Sequence, residues 1–322
     1  MEKNRSLVIG AVGQDGSFMC DILLDKGYEV FGVVKTKTDS SRLNPNVTYF
    51  NVDISDNETI RELLLSVRPT HIYNFMGVTD VFEPWDKADV TYSNNFLIPL
   101  KIIENIKLIN TKIKFLQASS SFVFGLSTET PQNEKTERNP IYHYGLAKNF
   151  TDSIIKVYRN KFDLCLNSVI LYPHESERRG DNFFSKKIIK SAIEIKNGIR
   201  ETIEVGDIDS CRDIGYAKDY MLACLLIMEQ DTCDDYIVGS GVSIKNSDFI
   251  KKIFDKLGII YEGRLLVNNN LKRNVDLSHL IANNKKIRNL GWEPKNNIDD
   301  IINIMIKNEI DGYEKGNSNS CI

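Results

Sequence analysis

The stretch VIGAVGQDGSFMCDILL, residues 8–24, sets Gly10, Gly13 and Gly16 between an apolar, β-branched run and a segment of helical spacing. Glycines at such a junction give a tight turn, let the backbone approach a pyrophosphate, and let the helix pack close to the strand. The spacing is GxxGxxG, and an ordinary strand-to-helix turn would also accommodate three glycines. What favours phosphate binding is context: a strand, a helix and a second strand, YEVFGVV, follow within one short unit. The loop therefore predicts a dinucleotide site, with Gln14 and Asp15 at the helix start joining the three glycines.

Outward from this loop two periodicities alternate. NVTYFNVDI, THIYNFMG and KIKFLQAS read as further strands; DNETIRELLLSVRP and the long DKADVTYSNNFLIPLKIIENIKLI read as helices. Strands alternating with helices predict an α/β fold, a doubly wound parallel sheet covered on both faces. After Gly125 a polar loop with two prolines intervenes, then a helix over about 142–161 and the strand LCLNSVILY. Shorter, mixed elements follow. We read a dinucleotide-binding domain over 1–172, with some later segments returning to it, a smaller, partly interleaved substrate domain over 173–315, and a disordered tail over 316–322.

Composition narrows the function. The chain has 322 residues and a formal net charge of −3, which gives no basic excess for nucleic acid. The longest apolar run, MLACLLIM from Met221, is too short to span a bilayer. Six cysteines with no CxxC pair fit a reducing cytosol, and four scattered histidines give no metal-ligand spacing. The expectation is a cytoplasmic enzyme without a metal.

Tyr144 and Lys148 form the one YxxxK in the chain. Four residues apart on a helix, they share a face, and an ammonium beside a phenol favours the phenolate. A surface pair would have the same spacing. The serine-rich strand end QASSSFVFG, 24 residues before Tyr144, tips the reading toward chemistry, because the Ser120 hydroxyl can share a substrate proton with the tyrosine. Asp53, at the end of NVTYFNVDI, either meets an adenine edge or simply starts a helix. At the end of the second strand Lys35 and Lys37 leave NAD and NADP both open.

In this order of motifs the chain resembles the extended short-chain dehydrogenase/reductases. Over nearly its whole length it is similar to the GDP-mannose 4,6-dehydratases, through GAVGQDGSF, RPTHIYNF, QASSSFVFG, PQNEKT, YGLAK, HESERRG, GDIDSCRDIGYAKDY and LGWEP. The resemblance implies a Rossmann-type domain for NAD(P), a GDP-sugar substrate, and chemistry that begins by oxidising carbon 4 of the sugar. It implies Tyr144, Lys148 and Ser120 as catalytic. It places Lys148, His174 and Lys35 with the cofactor, and Ser121, Phe122, Asp80, Glu175, Arg179, Lys187, Arg212 and Arg273 with the substrate. It further implies that segments 86–108 and 142–161 pair in a homodimer, or within a homotetramer.

One departure governs the functional expectation. Where those dehydratases carry the glutamate that removes the carbon-5 proton, this chain has Phe122. A phenyl ring neither accepts nor donates a proton, so elimination is lost while redox chemistry at carbon 4 is retained. The GDP-manno-heptose 4-dehydrogenases of capsule pathways look like this. A 4-keto reductase, a 4-epimerase, a dehydratase whose base has moved to Asp80, and a non-catalytic dinucleotide sensor are the other readings. Of the paired arginines with which such dehydratases hold NADP, the positions here are Lys35 and Thr36, which favours NAD(H) and leaves NADP(H) possible.

Overall fold

A computed structural model describes residues 4–34, 42–78, 87–268, 277 and 280–318. Its first half is a run of strand–helix units: β1 (Arg5–Ile9), α1 (Gln14–Asp25), β2 (Glu29–Val34), β3 (Thr48–Asn51), α2 (Asn57–Val67) and β4 (His71–Asn74). There follow α3 (Ala88–Tyr92), α4 (Ile98–Ile109), β5 (Lys114–Ser120), α5 (His143–Phe162) and β6 (Leu166–Leu171). The second half holds β7 (His174–Glu175), α6 (Phe184–Lys196), β8 (Ile203–Val205), β9 (Cys211–Asp213), β10 (Gly215–Tyr216) and α7 (Ala217–Met228). Then come β11 (Asp235–Val238), β12 (Ser243–Lys245), α8 (Asn246–Leu257), β13 (Leu265–Val267), α9 (Lys285–Arg288) and α10 (Ile298–Ser318).

Seven strands form one sheet in the order β11-β6-β5-β4-β1-β2-β3, and every neighbouring pair is parallel. The strands are almost wholly buried and apolar, as a sheet covered on both faces requires. One face packs Phe18, Met19 and Leu23 of α1 with Met221, Cys224 and Leu225 of α7. The other packs Ile60 and Leu64 of α2, Ile102 and Ile106 of α4, and Ile155 of α5. A third core joins α6, α8 and α10 through Ile189, Phe249, Phe254 and Met305. The chain order reverses between β1 and β4, and a crevice at the carboxyl ends of those two strands is where ligands bind in open α/β sheets.

Three sequence expectations change in detail. The long helix read over residues 86–108 is continuous but not regular: α3 passes through a π-turn, Ser93–Leu97, directly into α4. Cys165 and Cys233 form a disulfide, with Cα atoms 5.3 Å apart. Sequence spacing gave no hint of it, because the parallel pairing of β6 with β11 brings together positions 68 residues apart. α10 runs to Ser318, so the expected tail is helical over 316–318, and residues 319–322 lie outside the described part. No described helix is long and apolar enough to cross a membrane.

Candidate active site

The phosphate loop closes as its glycines demand. Gly10 follows β1 at φ +83°, a left-handed conformation that side chains resist. A Cβ at Gly16 would lie 2.2 Å from the Gly10 carbonyl oxygen, so only glycine lets α1 come this close to the turn. Gly13 is extended, and α1 begins at Gln14 with its first amides unpaired by helix bonds. Above them opens a cleft of about 850 Å³, lined by Gly10, Gly13, Gln14, Asp15, Gly16 and Asp53 among others. Its length and its amide-rich base fit a dinucleotide. Arg42, which the sequence reading passed over, lines the same cleft beside Val34 and Asp53. Asp53 Oδ1 accepts a hydrogen bond from the Ser55 amide at 2.9 Å, a turn before α2, whose N-cap is Asp56 and not Asp53.

A second cavity, about 620 Å³, is lined by Ser120, Ser121, Phe122, Tyr144, Lys148, His174, Glu175, Arg179, Lys187 and Arg212. The structure thus collects these ten expected residues, from five segments of the chain, around one space. Lys35, Asp80 and Arg273 lie outside the described residues. The two cavities share Asp15, Phe75, Gly77, Arg179 and Phe183 as walls.

At their junction stand the catalytic candidates. Tyr144 is half-buried on the cavity wall, and desolvation there pushes its phenol up to about 12, with the Ser120 hydroxyl pulling the other way. Lys148 is buried, and burial brings its amine down to about 8. The sequence reading had the ammonium lowering the phenol. Instead, Lys148 Nζ donates to the Ala118 carbonyl at 2.8 Å and lies 5.8 Å from the Tyr144 ring centre. With the cation turned toward the strand, desolvation governs the phenol. A residue the motif does not name joins them: Asn95, fully buried in the π-turn. Its Oδ1 accepts no hydrogen bond among the described residues. A Cβ on Gly77 would lie 2.4 Å from that oxygen and 3.4 Å from Lys148 Nζ, so both groups face one small space.

Phe122 caps the serine run. Its ring meets Tyr144 edge-on at 6.0 Å between centres, and Tyr142 at 6.4 Å. Three described carboxylates line this cavity, and each is engaged. Asp15 accepts from His174 Nε2 at 2.9 Å. Glu175 pairs with Arg179 at 3.2 Å and accepts from Ser185 Oγ. Asp207 accepts from the Asp209 and Ser210 amides in its own turn.

His174 was expected at the cofactor; it lines the second cavity and reaches the cleft through Asp15. Its Nδ1 is 2.7 Å from the Tyr172 carbonyl, so both ring nitrogens face acceptors, the arrangement of an imidazolium. Burial opposes the charge, yet the Asp15 carboxylate prevails and raises the His174 pKa. Burial likewise pushes Asp15 upward, but His174 and then Arg179 bring it below the usual carboxylate range. Ser176 Oγ donates to Gln14 Oε1 at 2.8 Å, and Arg178 Nη2 to Asp21 at 2.6 Å. The segment after β6 is therefore stitched to α1 along its length.

Against known proteins, the family model described as GDP-mannose 4,6 dehydratase matches residues 7–305. GDP-mannose 4,6 dehydratase of Homo sapiens is 30% identical, the match covering 96% of this chain and 92% of that one. GDP-mannose 4,6 dehydratase 2 of Caenorhabditis elegans is 29% identical over 96% and 90% respectively. Among solved structures, UDP-glucose 4-epimerase of Thermotoga maritima with UDP-glucose superposes with a TM-score of 0.87 at 22% identity, covering 96% of this chain and 99% of that one. dTDP-glucose 4,6-dehydratase of Bacillus anthracis in complex with NAD gives 0.85 at 18% identity, covering 97% and 98%.

Proposed function

This chain belongs to the GDP-mannose 4,6-dehydratase family, and we propose that it oxidises the 4-hydroxyl of a GDP-sugar to a ketone without the dehydration that follows in its relatives. The observation that carries this reading is Phe122, an apolar ring against Tyr144 where elimination needs a base. Every described carboxylate of the cavity is already held by a partner, so none stands ready to replace one.

The cofactor in this reading is NAD(H). Support comes from the phosphate loop, from Thr36 in place of a second basic residue, and from NAD in solved proteins of the same fold. When bound, the nicotinamide accepts the hydride from carbon 4. The chain supplies the remainder. Ser120 and Tyr144 hold the 4-hydroxyl, and Tyr144 in its ionised, phenolate form receives the proton; Lys148 and Asn95 sit behind them. Arg212 and Lys187 line the outer cavity, where they suit the diphosphate. The same geometry run backward reduces a 4-ketone, so direction is set by supply of substrate and cofactor. Pairing of two copies through the π-turn and α5 is part of this reading, and the exposure of Leu97, Phe150 and Val157 supports it.

The test is mass spectrometry of GDP-mannose and GDP-manno-heptose after incubation with the purified protein and NAD+. Loss of two hydrogens is expected, and Tyr144→Phe should abolish it. Loss of water would overturn the reading and send attention to Asp80. A chain that binds NAD but leaves both sugars unchanged with Tyr144 intact would instead be a sensor.

A further inference from the structure

Three bonds fasten α5 to the end of β5, one per helical turn. Tyr144 is hydrogen-bonded with Ser120. Lys148 Nζ donates to the Ala118 carbonyl at 2.8 Å. Asp152 Oδ2 accepts from Ser119 Oγ at 2.7 Å. The helix residues are spaced i, i+4, i+8, so they descend one face, and their strand partners are three consecutive residues. The first two rungs belong to the proton-handling pair. In the third, Ser119 lines the cavity while Asp152 lies beneath it, is not part of its wall, and is 2% exposed.

A buried carboxylate without partners would be costly, and this one has several. Ser168 Oγ, from β6, donates to Oδ1 at 2.5 Å. Arg138 Nη1, from the polar loop before α5, reaches Oδ2 at 2.5 Å. Arg138 Nη2 is also 4.0 Å from Asp235 of β11. Ser119, Ser168 and Arg138 all donate to Asp152, the surroundings of a carboxylate and not of an acid. We propose that Asp152 is the positioning residue of this site: it locks the register of Tyr144 and Lys148 against Ser120, and its negative charge holds Lys148 in the ammonium form. The proposal rests on the reading of Tyr144 and Lys148 as the redox pair.

The electrostatics agree with the geometry. Burial brings the Lys148 amine down, and the two charges acting upward on it are Asp152 first and Asp15 of the phosphate loop second. Burial also raises Asp152 itself, while Arg138, Ser168 and Ser119 act to keep it ionised and Asp235 acts against them. The remaining groups facing Lys148 are neutral: the Ala118 carbonyl, Asn95 Oδ1, and the Tyr144 phenol below its pKa. Asp152 is therefore the charge on α5 itself that opposes desolvation of the lysine.

The experiment is the pH dependence of Lys148 acylation, followed peptide by peptide in the folded, full-length protein, for wild type, Asp152→Asn and Asp152→Ser. The half-reactive point of wild type is expected near 8. Removing an opposing charge at close range should lower it by about one unit in both variants. The pH at which hydride transfer to NAD+ reaches half its maximum should move with it. A purely structural residue would lower stability and leave the titration where it was. Asparagine keeps the size and one acceptor oxygen, and serine leaves space for water, so failure of one variant to fold leaves the other. An unchanged Lys148 titration in a variant with native near-ultraviolet circular dichroism overturns the proposal. Persistence of hydride transfer in Tyr144→Phe would instead sink the redox reading, and it leaves the lysine titration standing as its own result.

Discussion

An alanine methyl at Gly16 would occupy space 2.2 Å from the Gly10 carbonyl oxygen and 2.8 Å from the Ala11 Cα, both parts of the backbone that cannot swing aside. Either α1 retreats from the turn or the turn opens. Gly16→Ala is expected to cost about 3 kcal/mol of folding stability, the upper range for overpacking, and to weaken NAD binding at least about tenfold. Chemical denaturation and a fluorescence titration measure the two. Wild-type affinity in this variant would mean the amides of the loop do not hold the pyrophosphate. Residues of this kind were readable in the sequence, since both the glycine spacing and YxxxK are local and encode one turn or one helix face. Asn95 and Asp152 were not, because each acquires its role from residues distant in the chain: Gly77 and Lys148 for the first, Ser119, Ser168 and Arg138 for the second. Arg42 reaches the cofactor cleft as a single cation with no motif around it.

At the scale of elements, the segment 172–178 and α1 meet through one titrating pair, and its sign can be worked out. His174 has its folded pKa raised, so its contribution is fully present below the unfolded value of about 6.5 and fades as pH rises through the folded one. Asp15 has its folded pKa lowered, so its contribution is present above about 4 and fades as pH falls through the folded value. The latch is strongest between those limits. His174→Asn is therefore expected to lose most stability relative to wild type at about pH 5.5 and progressively less on the alkaline side. Urea denaturation across that range checks it, and a pH-independent difference would mean the ring acts by packing alone. Sequence patterns located the long helix, and what they did not show is the π-turn Ser93–Leu97 within it. Helical hydrophobic spacing continues through a π-turn, since one extra residue per turn shifts the phase without removing the apolar face.

For the whole molecule, one set of uncovered apolar groups lies on α3, the π-turn and α5. Val90, Leu97, Phe150 and Val157 are each between 42% and 52% exposed, and the rings of Phe96 and Tyr92 stack around Phe150. A dimer through this face would bury them, and Phe150→Asp with Val157→Asp is expected to give monomers in light scattering after gel filtration, with the secondary structure unchanged. A wild-type monomer would remove the premise. The parallel sheet was legible because strand and helix periodicities alternate through the first half of the chain. The return of β11 to the sheet, and the disulfide at its start, depend on packing that no local pattern records.

The two cavities have Asp15, Phe75, Gly77, Arg179 and Phe183 in common, so neither ligand meets an independent receptor. Whichever arrives first fixes the Arg179 guanidinium, stacked 3.6 Å over the Phe183 ring, and hands the second a wall already set. Binding free energies are then linked, and the linkage is reciprocal: a sugar nucleotide that tightens the hold on dinucleotide is itself held tighter by it. If the chain oxidises carbon 4 as proposed, this shared partition would make the release of one ligand a condition on the release of the other. The order of departure would then decide whether an oxidised sugar leaves or is returned.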